Sequence, residues 1–321
     1  MIFVSNGELM KTKILVAGAQ GLVGRAVVKR LDLLDLNFVG ISRNEVDLLN
    51  YQATENLIND LRPTCVIDAA AIVGGIKFNS EFPVKSLEEN LGIQNNLMRA
   101  SHKAGVDKFI FLGSSCVYPR NCPQPIKEEF LLSGRLEPSN SAYAIAKIAG
   151  IEMIKSYRKQ FNKNWISLMP TSIYGPNDNF DLNNSHVIPA LIRKFITAKI
   201  DNLPSVEVWG SGTNRREFLY VDDLAEAIIF CVENYNSIDP INIGCGSDIR
   251  ISDLAKIISE TVGFLGQIIF NSDLPDGTPQ KLLDSSRIFD MGWKPSTSLR
   301  KGIELTVDWY NKNHLGVQNV D

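Results

Sequence analysis

The sequence predicts an α/β fold in which a doubly wound parallel sheet is followed by a smaller C-terminal domain. Two observations lead to this prediction. Short apolar runs typical of buried parallel strands alternate with helix-like stretches through the first half of the chain. A glycine-rich turn also separates the first of these runs from the first helix. Such alternation builds right-handed βαβ units, and loops at the carboxyl ends of the strands then carry the functional site.

The predicted elements follow one another in a regular order. Strands are expected at 14–17, 38–42, 65–69, 109–112 and 166–169, and helices at about 22–34, 84–103 and 142–161. After Pro176 the pattern becomes irregular, with a helix expected at 187–198, a strand at 206–209 and returns to the sheet at 218–220 and 241–244. The chain is therefore divided into a tail (1–10), a first domain (11–174 plus 217–244) and a second domain (175–216 plus 245–321).

The glycine turn indicates a dinucleotide site of the Rossmann type. Gly18 allows a tight turn, Gly21 allows a pyrophosphate to approach the backbone, and Gly24 lets the helix pack closely on the strand. The helix that follows offers unpaired N–H groups and a partial positive charge to the phosphates. The same loop and helix start supply three further candidate cofactor contacts, Gln20, Leu22 and Val23.

A second pattern indicates reduction of a carbonyl group. Tyr143 and Lys147 stand four residues apart on a predicted helix and therefore share one face. A nearby ammonium is expected to lower the pKa of the phenol and to make it a usable proton donor. Ser114 can hold a carbonyl oxygen against the same phenol. A ketone polarised by two hydroxyl groups is ready to accept a hydride, and the glycine turn predicts the cofactor that would supply it.

Composition excludes several other classes of protein. The chain has 321 residues, 44% hydrophobic and 21% charged, with a net charge of −3, which argues against general nucleic-acid binding. No apolar run is long enough to span a bilayer, so no membrane association is expected. The five cysteines form no C-x-x-C pair, and with three histidines no metal site is predicted. A reduced, cytoplasmic protein is expected.

Longer segments carry a resemblance that covers about residues 13 to 311. The most specific are 113–119, 136–140, 143–150, 184–190, 208–213, 216–218 and 275–279. On these segments the chain resembles the extended short-chain dehydrogenases/reductases and, within them, the GDP-L-fucose synthase family. The resemblance implies 3,5-epimerisation of GDP-4-keto-6-deoxy-D-mannose and then NADPH-dependent reduction of the 4-keto group.

The resemblance also implies a role for each site residue. Tyr143 would protonate the C4 oxygen, with Ser114 bonded to the same oxygen, and Lys147 would tune Tyr143 and bind the nicotinamide ribose. Cys116 and His186 resemble the family's epimerisation pair, a base and an acid on opposite sides of the sugar, and His186 is also counted among the cofactor contacts. Residues implied in binding the GDP-sugar are Lys194, Trp209, Arg216 and Lys281.

The choice of cofactor depends on the end of the second strand. An acidic residue there would bind the ribose 2′-hydroxyl of NAD, but this strand ends in Ser42 and Arg43, and the first acid is Glu45. Ser42 and Arg43 suit a 2′-phosphate, so NADP(H) is predicted, although Gln20 stands where the family often has an arginine. Candidates for the rest of the cofactor site are Asp47, Leu48, Ala69, Ala70 and Ala71.

Alternatives remain at the level of substrate and partner. The chain could act on another GDP-4-keto sugar, such as a 6-deoxy-heptose or colitose precursor, or it could keep the reductase and lack epimerisation. A cofactor-sensing module on the same fold is a third reading, which the Tyr–Lys pair argues against. The resemblance further implies a homodimer through the helices at 84–103 and 142–161, with an apolar face offered by Leu87, Leu91, Ile148 and Ile151.

Overall fold

The structure, a computed structural model, describes residues 12–274 and 277–315. The predicted tail at 1–10 lies outside the described residues, as do the first two residues of the 275–279 segment. Within the described residues, no helix combines the length and the apolar character needed to cross a bilayer.

A six-stranded parallel sheet confirms the predicted fold class. Its strands in spatial order are β2 (Phe38–Ile41), β1 (Ile14–Ala17), β3 (Cys65–Asp68), β4 (Lys108–Leu112), β5 (Asn164–Pro170) and β10 (Ile241–Ile243). Neighbouring strands are parallel throughout, with Ala17 aligned to both Ile41 and Asp68, and Asp68 aligned to Phe111. The carboxyl ends of β1, β2, β3 and β4 therefore meet at one edge, where the glycine turn and the segment after Leu112 begin.

Helices cover both faces of this sheet because the strands are apolar on both sides. On one face pack α1 (Leu22–Leu33) and α7 (Val221–Asn234). On the other lie α4 (Pro83–Lys103) and α5 (Ser141–Phe161), preceded along the chain by α2 (Tyr51–Leu61) and the short α3 (Ile76–Glu81). Side chains along β1 alternate between the two faces of the sheet. Ile14 and Val16 point to one core, and Leu15 and Ala17 point to the other.

A separate apolar core forms from later parts of the chain. It joins α6 (Val187–Ile200), α8 (Ile251–Val262) and α10 (Leu299–Tyr310) to the paired strands β7 (Ser205–Trp209) and β12 (Gln267–Asn271). Between this core and the sheet lie three short paired strands, β11 (Ile249–Arg250), β8 (Arg215–Arg216) and β13 (Gln280–Lys281). The last helix before α10 is α9 (Ser286–Asp290). The domain boundaries expected from the sequence stay a prediction.

One predicted strand does not join the central sheet. Residues 218–220 form β9 (Phe218–Tyr220), which pairs in parallel with β6 (Ser172–Tyr174) in a separate two-stranded sheet. The place at the edge of the main sheet is taken by β10, whose Ile243 carbonyl accepts a hydrogen bond from the Thr171 N–H. The prediction for 241–244 is therefore confirmed, and that for 218–220 was wrong because β10 already pairs with β5.

Candidate active site

The glycine turn after β1 forms a cradle that a larger residue would fill. Gly18 has φ +78°, and a Cβ there would lie 2.7 Å from the Ala69 carbonyl oxygen. A Cβ on Gly24 would collide with the Gly18 carbonyl. A Cβ on Gly21 would meet the protein only at ordinary contact distance, 3.4 Å from the Gly18 oxygen. The space that Gly21 leaves open therefore serves something outside the chain, at the N-terminus of α1, where a pyrophosphate is stabilised.

An elongated cavity of about 260 Å³ runs from this cradle along the carboxyl edge of the sheet. It is lined by the predicted cofactor contacts Gly18, Gln20, Gly21, Arg43, Asp47, Leu48, Ala69, Ala70 and Ala71. These residues come from the ends of β1, β2 and β3, so their convergence follows from the parallel sheet. The cavity, the open Gly21 and the helix N-terminus fit the adenosine and pyrophosphate part of a dinucleotide. The other predicted cofactor contacts Tyr143, Lys147 and His186 do not line this cavity. Leu22 and Val23 differ, since their side chains pack against the core beneath the turn.

The adenosine end of this cavity carries carboxylates that the sequence pattern did not reveal. Both the Ser42 N–H and the Ser42 hydroxyl donate to Glu45 Oε2 at 2.8 Å. Arg43 is exposed, and its Nη1 lies 3.6 Å from Glu89 Oε2 on α4. The two groups expected to bind a 2′-phosphate are therefore both beside a negative charge.

Ser114, Tyr143 and Lys147 meet where β4 ends and α5 begins. Ser114 caps a single 3₁₀ turn, its Oγ accepting from the Cys116 N–H at 3.2 Å, and its hydroxyl lies close enough to the Tyr143 phenol to affect the pKa of that phenol. Lys147 lies one turn further along α5, 96% buried, and its Nζ donates to the Leu112 carbonyl at 2.8 Å. The structure thus brings together the three residues that the pattern predicted.

The expected lowering of the phenol's pKa was wrong. Burial raises the pKa of Tyr143, the nearby Cys116 raises it further, and the neighbouring Ser114 hydroxyl offsets only part of this rise. Lys147 Nζ lies 5.9 Å from the centroid of the Tyr143 ring and is engaged by Leu112. Tyr143 is therefore a phenol at neutral pH and holds its proton until a stronger base forms beside it.

Lys147 faces a buried carboxylate that sequence reasoning missed. Asp68, at the end of β3, is 99% buried, and its Oδ1 accepts from the Ala70 N–H at 3.2 Å, while Oδ2 accepts no hydrogen bond from the residues that the structure describes. Burial raises the pKa of Asp68 to about 6, and the charge of Lys147 acts against that rise. Burial in turn lowers the pKa of Lys147, which Asp68 opposes. Each charge is the counter-charge of the other.

Cys116 is held between two donors from distant segments. Asn140 Nδ2 lies 3.3 Å from its sulfur, and Lys281 Nζ lies 3.8 Å from it. The thiol is half-buried and lies close enough to Tyr143 to affect the titration of that phenol. A thiol base and the reductive hydroxyl pair therefore share one site, and the sulfur has an ammonium and an amide directed at it.

His186 is the N-cap residue just before α6, and its side chain makes no capping hydrogen bond to that helix. The preceding residue, Ser185, and Asn184 pack against the segment after β3, where the Gly75 N–H donates to the Asn184 carbonyl at 3.0 Å. This contact brings the start of α6 to the carboxyl edge of the sheet. His186 as a whole residue is exposed. Its imidazole is nevertheless desolvated by the surrounding protein, which lowers the pKa of the ring. Its position opposite Cys116 stays a prediction.

The four predicted sugar-nucleotide contacts form two separate pairs. Lys281 on β13 is in register with Arg216 on β8, so these two residues are neighbours on paired strands, and Lys281 also reaches the sulfur of Cys116. Lys194 on α6 instead donates to the Glu207 carbonyl at 2.9 Å and lies 5.8 Å from the centroid of the Trp209 ring. Trp209 is 45% exposed and is not part of the core.

Known proteins place the chain in a family. A family model described as NAD dependent epimerase/dehydratase matches residues 14–244. The chain belongs to this family. It is 50% identical over 308 residues to a probable GDP-L-fucose synthase 1 of Oryza sativa subsp. japonica, covering 95% of this chain and 94% of that protein. The resemblance to GDP-L-fucose synthases is therefore confirmed.

Two solved structures from Campylobacter jejuni are also similar. A GDP-6-OMe-4-keto-L-xylo-heptose reductase has a TM-score of 0.90 at 35% identity, covering 94% of this chain and 98% of that one. A GDP-mannoheptose C4 reductase with NADP bound has a TM-score of 0.86 at 36% identity, with the same coverage of 94% and 98%. Both share the fold of this epimerase/dehydratase family member over nearly its whole length.

Four residues of the site were missed for different reasons. Asn140 ends the 136–140 segment that carries the family resemblance, but its contact with Cys116 depends on how the loop before α5 folds. Asp68 stands at a strand end, which is a usable signal for a functional residue. Glu89 lies 46 positions from Arg43 along the sequence, so no local pattern links them. The sequence shows Glu45 as the first acidic residue after the second strand, but it does not show that Ser42 donates hydrogen bonds to its carboxylate.

Proposed function

We propose that this chain is a bifunctional enzyme that makes GDP-L-fucose from GDP-4-keto-6-deoxy-D-mannose. It epimerises the sugar at C3 and C5 and then reduces the C4 ketone with NADPH. The observation that carries the proposal is the cluster in which Tyr143 contacts Ser114 and lies beside Cys116, whose sulfur faces Lys281. A proton donor for the ketone oxygen and a base for the neighbouring carbons then act on one sugar ring.

In the reductive step, the chain positions the ketone and supplies a proton. A bound nicotinamide would deliver the hydride to C4. Ser114 donates a hydrogen bond to the C4 oxygen, and the Tyr143 O–H bond breaks as its proton moves to that oxygen. A phenol whose pKa is raised by burial keeps this proton until the much more basic alkoxide develops. Lys147, held by Leu112 and facing Asp68, places a positive charge below the reacting hydroxyls.

In the epimerisation steps, Cys116 and His186 exchange protons with carbon. The C4 ketone acidifies the C–H bonds at C3 and C5, and Ser114 and Tyr143 stabilise the enolate oxygen that forms at C4. The thiolate of Cys116 removes a proton from one face, with Asn140 and Lys281 directed at its sulfur. His186 returns a proton to the opposite face. No net oxidation occurs, because each carbon loses and regains a proton.

NADP(H) is the proposed cofactor. The cavity along the sheet edge, the open Gly21 and the N-terminus of α1 suit a dinucleotide. Arg43 at the adenosine end suits a 2′-phosphate, since a planar guanidinium can donate two parallel hydrogen bonds to two oxygens of one phosphate. The similar GDP-mannoheptose C4 reductase, solved with NADP bound, supports the same choice.

Mass spectrometry of one reaction tests the whole proposal. The enzyme is incubated with GDP-4-keto-6-deoxy-D-mannose and NADPH in deuterated water. A reduced product with deuterium at C3 and C5 is expected. Reduction without deuterium would remove the epimerase, and deuterium exchange without reduction would remove the reductase.

A second candidate is a C4 reductase of another GDP-4-keto sugar. The TM-score of 0.90 to a GDP-heptose reductase favours it. Because the glycine cradle and the Tyr143–Lys147 pair act on any such ketone, they do not separate the two readings. Competition between the fucose precursor and a GDP-4-keto-heptose, compared by kcat/KM, decides between them.

We also propose that the enzyme is a cytoplasmic homodimer formed through α4 and α5. Val84 and Ile145 expose apolar surface on these two helices, at 64% and 49%. Of the four residues expected on the dimer face, Leu87, Leu91 and Ile148 are half-buried, but Ile151 is fully buried in the core and is not available. Sedimentation at micromolar concentration tests this, and a monomer mass would contradict it.

A further inference from the structure

Arg43 is already paired with a carboxylate in the adenosine end of the cavity. Its Nη1 lies 3.6 Å from Glu89 Oε2, and both residues line the same cavity. The Glu89 side chain is only 20% exposed, whereas that of Arg43 is 64% exposed. Glu89 Oε2 is buried and accepts no hydrogen bond from the described residues. Its other oxygen, Oε1, lies 3.9 Å from Lys85. The carboxylate on α4 therefore lies between two cations, with Oε2 facing Arg43.

A second carboxylate strengthens the negative character of this end. Glu45 Oε2 accepts two bonds from Ser42, and these bonds lower the pKa of Glu45, so it is ionised at neutral pH. A phosphate brought to Ser42 and Arg43 would thus arrive beside two carboxylates. A ribose 2′-hydroxyl meets no such repulsion, because it is neutral and can donate a hydrogen bond to a carboxylate.

We propose that Glu89 is a specificity-determining residue: by pairing with Arg43 it limits the preference of this enzyme for NADPH over NADH. The inference rests on the proposed use of a nicotinamide dinucleotide. A 2′-phosphate has to share Arg43 with Glu89 or displace it, and either arrangement costs binding free energy that NADH does not lose. Arg43 favours the phosphate and Glu89 opposes it, so the selectivity is the difference between the two.

The test is the ratio of binding constants for NADPH and NADH in Glu89→Gln, measured by calorimetry without the sugar. Removing one charge near a phosphate should raise the NADPH/NADH ratio by roughly tenfold. Glu88→Gln is the matched control: it removes the same charge from an exposed neighbour on α4 that does not line the cavity. An unchanged ratio in Glu89→Gln, or an equal rise in both variants, overturns the proposal.

A double-mutant cycle with Arg43→Ala tests whether Glu89 acts through Arg43. Arg43→Ala alone should lower the ratio. In that background only the direct repulsion between Glu89 and the phosphate remains, so Glu89→Gln should raise the ratio by clearly less than it does when Arg43 is present. A full tenfold effect without Arg43 would overturn the proposed pairing. If the wild-type enzyme binds neither dinucleotide, the proposed function fails. If it binds both and only the Glu89 effect is missing, this inference alone fails.

Discussion

The reductive and epimerising halves of the site are built in different ways. Tyr143 and Lys147 are 91% and 96% buried at the junction of β4, a strand of the six-stranded sheet, and α5, a helix that covers one face of that sheet. Cys116, by contrast, is half-buried and is held by Asn140 and Lys281, which are 24 and 165 positions away along the chain. His186 is exposed.

This contrast matches the chemistry that each half is proposed to perform. Adding a hydride to the carbon of one ketone, and a proton to its oxygen, needs a fixed proton donor in a dry site, since electrostatic stabilisation is stronger where water is excluded. Exchanging protons at two carbons needs groups that can serve different positions of a sugar ring. A buried phenol and a more open thiol are suited to these two tasks. Each half should therefore respond separately to mutation.

The largest expected effect is on the reductive half. Tyr143→Phe removes the proton donor and should slow hydride transfer roughly a thousandfold. Deuterium exchange into the 4-keto sugar should continue, because the ketone still acidifies its neighbouring carbons. NADPH consumption and mass spectrometry measure the two activities in one sample. Tyr157→Phe, also on α5 but half-buried among other rings, is the control. Equal loss of both activities would show that the halves are not separable.

The reverse separation is expected at Cys116. Cys116→Ser should slow deuterium exchange by several hundredfold, because a serine hydroxyl is a far weaker base than a thiolate. Reduction of a pre-epimerised 4-keto-L-sugar should survive, since Ser114, Tyr143 and Lys147 are untouched. Cys245→Ser is the matched control, because Cys245 is also a half-buried thiol and donates a hydrogen bond to the Ser247 carbonyl. If Cys116→Ser exchanged deuterium at the wild-type rate, Cys116 would not be the base for epimerisation.

The same contrast explains what the sequence could predict. Gly18, Tyr143 and Lys147 were found because their spacing is set within one turn or one helix, and a parallel sheet then brings strand ends together. The contact between Lys281 and Cys116, the ion pair of Arg43 with Glu89 and the facing charges of Asp68 and Lys147 depend on tertiary packing. The sign of the Tyr143 pKa shift was also missed, because burial raises the pKa of the phenol and the ammonium of Lys147 is engaged by the Leu112 carbonyl.

A third prediction concerns the stability of the buried half. In the unfolded chain Asp68 titrates near its ordinary pKa of 3.8, but in the folded chain its pKa is about 6. Asp68 therefore favours folding below pH 4, and this contribution is lost as the pH rises through 6. Asp68→Asn should stabilise the protein by about 3 kcal/mol at pH 8 and by little at pH 4. Urea unfolding at both pH values measures this, with the exposed Asp60→Asn as control. An equal effect at both pH values would show that Asp68 does not titrate in this range.

The smallest expected effect concerns Lys281, which the resemblance assigned to the substrate pyrophosphate and the structure places 3.8 Å from the sulfur of Cys116. If it supports the thiolate, Lys281→Met should slow deuterium exchange at saturating substrate by about tenfold, since one nearby charge contributes on the order of 1 kcal/mol. The affinity for GDP alone, measured by calorimetry, should then stay unchanged. If Lys281 binds the pyrophosphate, GDP affinity should fall instead, while exchange at saturation stays at the wild-type rate. Lys256→Met, which removes an exposed cation on α8 that the resemblance does not assign to the substrate, controls for the loss of a positive charge. A loss confined to GDP affinity would return Lys281 to the pyrophosphate and leave Asn140 as the neighbour of the thiol.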